Sequence, residues 1–200
     1  VKNYAKLSGS LDPTPFSQKE RKVCHIGSLT ENRGIIELIM AMEDIEGTLE
    51  LAGAFSTEEL QERVSRLPGW KKVNYHGYVS RKEVQKILRI SMVGTVTLHP
   101  IEKYLDALPV KLFEYMAAGL AVVSSNIPMW ELIVRDANCG MTVDPFNPAQ
   151  IASAVNGLLN DPETAEKYGL NGRKAVEKKY SWATEEKKLL ELYRGLLPHR

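Results

Sequence analysis

The chain has 200 residues, 44% of them apolar and 26% charged, the balance of an ordinary globular chain that can bury a core without disulfide or metal staples. Its 26 Lys plus Arg offset 25 Asp plus Glu, leaving a formal net charge of +1, so neither the basic footprint of a nucleic-acid partner nor an acidic tail is present. Any anionic ligand has to be held by local chemistry rather than by a global field.

Residues 1–21 are polar and interrupted by Gly9, Pro13 and Pro15, the composition of a linker. A first strand is expected at 22–27, followed by "GSLTENRG" (27–34) and a helix over 33–44. Glycines let the backbone approach a ligand, a helix N-terminus favours anions, and Arg33 can fork onto phosphate oxygens. The spacing matches neither G-x-G-x-x-G nor a Walker loop, so a plain strand-to-helix turn stays open as the other reading. A strand at 47–53 leads to a helix at 56–66, opened by Ser56 and Glu59 at capping-box spacing.

A third strand at 72–76 runs into "HGYVSRKE" (76–83) and a helix at 80–90, with Ser80 and Glu83 again at capping-box spacing. Gly77 permits close approach, Tyr78 offers a stacking face, and the backbone at Val79 can read a base edge; an ordinary connection is the alternative. His76 reads as a packed strand residue.

After a strand at 93–98 comes "LHPIEKYLDALPVKLFE" (98–114). Pro109 reads as the first residue of a helix over 109–118, which leaves the amides of Val110, Lys111 and Leu112 free for an anion. A lysine at a helix N-terminus opposes the dipole, and a bound anion would offset that. Glu114 lies one turn on, on the face of Lys111, where it can accept the two hydroxyls of a ribose. The alternative is an internal Lys111–Glu114 pair worth roughly a few tenths of a kcal/mol. Asp106 can take a sugar hydroxyl. Phe113, Met116 and Ala117 are the packing face.

A strand at 120–124 precedes "SSNIPMWELI" (124–133), where Ser124, Ser125 and Asn126 either meet a ligand or cap the helix at 128–134. A strand at 140–143 and helices at 148–159, 162–179 and 182–196 complete the pattern; Asn147 and Asp161 each cap before a proline. Trp182, Leu189, Tyr193 and Leu196 form one apolar stripe, suited to packing on the sheet or to bracing a neighbouring domain. Cys24 and Cys139 read as small buried hydrophobes, too few for a disulfide scaffold or a zinc site. No signal peptide and no long apolar run is visible, so a soluble, cytoplasmic protein is expected. Starting at Val1, the chain is expected to be a piece of a longer protein.

Alternating strands and helices predict an α/β, Rossmann-like fold: a doubly wound, parallel, six-stranded sheet with helices on both faces. On "HIGSLTENRG", "LAGA", "YHGYV", "LPVKLFEYMAAGLAVVSS", "CGMTVDPFNP" and "KKYSWATEEKKLLELY", the chain resembles the C-terminal, donor-binding domain of retaining glycosyltransferases of the GT-B architecture (group 1, glycogen-synthase-like family 4). The family has two glutamates separated by seven residues; here Asp106 holds the first position and Glu114 the second. It usually carries an Arg and a Lys after the first strand, where this chain has Ser28 and Arg33. Lys111 offers a compensating charge.

The resemblance implies a nucleoside diphosphate sugar (UDP-, GDP- or ADP-linked) as donor and no cofactor or metal. It implies binding through Gly27, Ser28, Arg33, Gly34, Tyr78, Val79, Leu108, Pro109, Val110, Lys111 and Glu114, with Arg33, Lys111 and Asp106 as catalytic residues. Glu114 positions the ribose and is not a general base. It further implies a linker at 1–21, a nucleotide-sugar-binding domain at 22–180, and a helix at 181–200 crossing towards an N-terminal acceptor domain. Bacterial surface-polysaccharide synthesis, with a peripheral membrane contact through that missing half, is the expected setting. Two other classes remain open: an NAD-type Rossmann oxidoreductase or epimerase, and a non-catalytic nucleotide-binding module.

Overall fold

The computed structural model describes residues 14–180 and, beyond them, residues 185, 186, 189, 190 and 193. Most of the expected linker and of the helix at 182–196, including Trp182 and Leu196, lies outside the described residues. Six strands, β1 (Glu20–Ile26), β2 (Thr48–Ala52), β3 (Val73–Gly77), β4 (Ser91–Val96), β5 (Ala121–Ser125) and β6 (Gly140–Val143), form one sheet in the order β3-β2-β1-β4-β5-β6. Every neighbouring pair is parallel. This is the doubly wound arrangement, and its direction of winding reverses between β1 and β4.

The helices are α1 (Ile35–Ala41), α2 (Glu58–Ser65), α3 (Arg81–Ile90), α4 (Glu102–Leu105), α5 (Val110–Ala117), α6 (Pro128–Ala137), α7 (Pro148–Asn160) and α8 (Pro162–Lys178). Each expected strand is present, shifted by no more than two residues. β1 starts at Glu20, inside the stretch expected to be a linker. The helix expected from residue 33 begins only at Ile35, because Glu31–Arg33 form a separate 3-10 turn closed by Gly34 in the left-handed region (φ 68°). The four-residue α4 is too short to show a helical period in the sequence.

Adjacent strand residues point to opposite layers. Val23 joins Leu38, Leu49, Val93 and Val155 in the layer under α1 and α7. Its neighbour Cys24 joins Phe113, Met116, Trp130 and Val176 in the layer under α5, α6 and α8. Both cysteines are buried and free, and burial pushes each thiol up to about 12. Caps at Ser80 (a full capping box with Glu83), Asn147 and Asp161 form as expected. For α2 the cap is Thr57, whose hydroxyl accepts from Leu60 N, and not Ser56.

At the point of reversal the sheet splits. Pairing of β1 with β4 ends at Cys24 and Gly94. Beyond it, Tyr115 of α5 lies over Gly94, where an added Cβ would meet the ring at 2.6 Å. The Tyr115 hydroxyl accepts the Ile26 N–H at 2.9 Å, and Thr95 Oγ1 donates to Cys24 O at 3.2 Å. Side chains thus take backbone groups that a continuous ladder would have used. In an open α/β sheet the ligand crevice lies at such a reversal, beyond the carboxyl ends of the two strands, here β1 and β4.

Candidate functional site

The loops after β1 and β4 meet above that crevice. Gly27 adopts φ +141°, a conformation that favours glycine. A Cβ placed on it would lie 3.3 Å from an Arg33 guanidinium nitrogen and 3.4 Å from Lys111 Cε. Two cations from distant parts of the chain therefore flank one glycine. Ser28 is exposed beside them. Gly34 is buried, with Thr97 O only 2.0 Å from where its Cβ would be. It acts by letting the Glu31–Arg33 turn press against the end of β4, a placement reinforced by the His99 N–H donating to Asn32 O.

α5 opens differently from the sequence expectation. Pro109 is the N-cap, extended at φ −74° and ψ 114°, and Val110 is the first helical residue. The Leu112 amide is spent on Pro109 O at 3.0 Å, so it is not free. The amides of Val110 and Lys111 have no backbone acceptor among the described residues, and no side chain caps this helix. Lys111 Nζ donates to Glu114 Oε2 at 2.9 Å, both side chains about one-third exposed. The internal pair is thus real, yet partly open to solvent and to a competing ligand. Asp106 is exposed, with no hydrogen bond or ion pair from its carboxylate among the described residues. Leu108 packs on the core.

Electrostatics agree with a cationic centre. His25, buried on β1 with Nδ1 3.3 Å from Thr95 Oγ1, has its pKa lowered to about 4, by burial first and then by the charges of Arg33 and Lys111. Arg33 and Lys111 thus lie close enough to His25 to disfavour a third positive charge there.

The outer loops divide. Tyr78 is 89% exposed beyond β3, where Gly77 is left-handed (φ 64°), so its ring is open to stacking. Val79 turns its side chain to the core. His76 is not packed: it is exposed on β3 and pairs with the buried Glu50, whose carboxyl is held low, against the pull of burial, by Asn74, His76 and Lys22. Ser124 and Ser125 do not face the crevice either. Both are fully buried, and Ser125 Oγ donates to Leu98 O at 2.6 Å. The α6 cap is Ile127, with no side-chain bond.

Sequence reasoning missed Tyr115 and Trp130, whose polar atoms hold backbone on both sides of the crevice. A fully buried Tyr or Trp needs a partner for its O–H or N–H, but the sequence does not say which carbonyl or amide that is. Among the described residues no group of His, Cys, Asp and Glu is arranged to hold a metal ion, and no helix is long and apolar enough to cross a membrane.

The sequence model of the family described as "Glycosyl transferases group 1" matches residues 11–175. The chain belongs to this family. Among the relatives of this group 1 chain is the alpha-maltose-1-phosphate synthase of Mycolicibacterium smegmatis, 29% identical over 184 residues, which are 86% of this chain and 47% of that one. Two solved structures share the fold. Sucrose-phosphate synthase from Thermosynechococcus elongatus has a TM-score of 0.74 at 22% identity, over 91% of this chain and 46% of that one. Anabaena Alr3699/HepE, solved in complex with UDP-glucose, has a TM-score of 0.75 at 17% identity, over 90% and 50%. The chain spans about half the length of the curated relatives it matches. The expected Rossmann-like, GT-B type of fold is therefore found.

Proposed function

We propose that this chain is the donor-binding half of a retaining glycosyltransferase, holding a nucleoside diphosphate sugar in the crevice between β1 and β4. The observation that carries the reading is the convergence of Arg33 and Lys111 on Gly27 beside the uncapped start of α5. Diphosphate oxygens meet two cations and the free amides of Val110 and Lys111 there. Glu114 exchanges its bond with Lys111 for the two ribose hydroxyls, which releases Lys111 to the phosphates. Asp106 takes a sugar hydroxyl, and Tyr78 stacks on the base. A neighbour of the same fold was solved with UDP-glucose, which is consistent with this chemistry.

In this reading catalysis is the stabilisation of the departing diphosphate by preorganised charge and amides. Arg33 and Lys111 neutralise the developing charge while the sugar passes to an acceptor hydroxyl with retention at the anomeric carbon. The acceptor is held by an N-terminal half of the whole protein. The 200-residue chain alone then binds nucleotide and transfers little sugar. Surface-polysaccharide assembly at the cytoplasmic face of a bacterial membrane is the setting we assign to the whole protein.

The test is a pair of affinities measured by calorimetry on Glu114→Ala. Nucleoside diphosphate binding should weaken far more than inorganic pyrophosphate binding. Equal losses for both would remove Glu114 from the ribose. A diphosphate affinity unchanged in Arg33→Ala would take the 27–34 loop out of the phosphate site.

A further inference from the structure

Four residues, Asp106–Pro109, connect α4 to α5 and set where the free amides of Val110 and Lys111 point. Within that connection, the Asp106 and Ala107 amides both turn back to Tyr104 O, the second at 3.3 Å, Pro109 has no N–H to give, and Pro109 O accepts from the Leu112 amide of α5 at 3.0 Å. The strong tie comes from elsewhere. Trp130, on α6 and fully buried, donates its indole Nε1–H to Ala107 O at 2.7 Å. It is shorter than the Ala107–Tyr104 and Leu112–Pro109 backbone bonds, and it ties the connection to α6.

We propose that Trp130 is a positioning residue for the donor site, fixing the 106–109 backbone so that the Val110 and Lys111 amides are preorganised for a diphosphate. The inference rests on the donor-site reading above. Its physical basis is that a buried indole N–H must find an acceptor, and here the acceptor is a carbonyl one residue after Asp106 and three before Val110. The rest of the ring packs in the layer with Phe113 and Ile133. Two roles therefore sit in one side chain: the ring fills the core, and the N–H aims a loop. Only the second should be felt by the phosphates.

The roles are separable. Trp130→Phe keeps a buried ring and removes the donor; Val134→Ala, in the same helix and the same core layer, supplies a loss of stability without touching the connection. Replacement of Trp130 by benzothienylalanine through site-specific incorporation keeps the bicyclic shape and lacks the N–H, and it serves if Trp130→Phe does not fold. Each protein is titrated by calorimetry with UDP, GDP and ADP and with the matching unphosphorylated nucleosides.

The expected result is a roughly tenfold loss of nucleoside diphosphate affinity for the Trp130 variants, with nucleoside affinity kept and Val134→Ala equal to wild type in both. A Trp130 variant that binds diphosphates like Val134→Ala, or that loses nucleoside and diphosphate binding in equal measure, overturns the positioning role while leaving the donor site standing. A wild-type chain that binds none of the three diphosphates overturns the donor-site reading itself.

Discussion

Helix starts at the centre of the sheet differ from those at its margins. The edge strands β3 and β6, and β2 beside β3, lead into α3, α7 and α2, each with a side-chain cap, from Ser80, Asn147 and Thr57. The middle strands β1 and β4, and β5 beside β4, lead into α1, α4, α5 and α6, none of which has one. Unsatisfied amides at a helix start need a partner, and a cap supplies it from within the chain. Where caps are missing at the crevice, and two cations stand beside the bare amides, a ligand anion is the partner that the chemistry fits.

Acid provides the strongest challenge to this contrast. The folded pKa of His25, about 4, lies below its unfolded value of about 6.5, so the unfolded chain binds more protons between the two. That contribution is fully present above about pH 6.5 and is lost as pH falls towards 4, about 3 kcal/mol in all. Urea unfolding at stepped pH reads it directly, and His25→Gln should flatten the slope. A His25 pKa that stays the same when a diphosphate saturates the chain, followed by NMR, would separate His25 from the cationic centre.

Lys111→Ala comes next. Nucleoside diphosphate affinity should fall roughly 10- to 100-fold, the worth of a charge-assisted contact. Its unfolding midpoint should barely move, since the partly exposed pair with Glu114 contributes little. The smallest effect in binding, and the matching control, is Asn147→Ala. It should cost about 1 kcal/mol of stability and leave nucleotide affinity unchanged. A cap variant at the margin that weakens nucleotide binding as much as Lys111→Ala would erase the distinction between margin and centre.

Much of this was legible before any coordinates. The inner strands were marked by apolar runs because a parallel sheet covered on both faces buries nearly every residue there, as β4 and β5 do, whereas the edge strand β3 only alternates. The caps at Ser80, Asn147 and Asp161 were legible because they act within one turn. So was the Lys111–Glu114 pair, whose spacing alone brings the groups together. Contacts set by topology were not. Nothing local says that Arg33 and Lys111 share one glycine, that Tyr115 fills the space over Gly94, or that Trp130 holds Ala107. Ser125 was misread for the same reason: a hydroxyl at a strand's end looks available until the carbonyls of Val96 and Leu98 are seen beside it.

The central claim is that the crevice between β1 and β4 takes a nucleoside diphosphate. Calorimetric titration of the 200-residue chain with UDP, GDP, ADP and NAD tests it most directly. The account predicts saturable binding of at least one nucleoside diphosphate, weakened roughly tenfold or more in Lys111→Ala and in Arg33→Ala, with NAD bound weakly or not at all. Tight binding of NAD with no binding of any nucleoside diphosphate would contradict it.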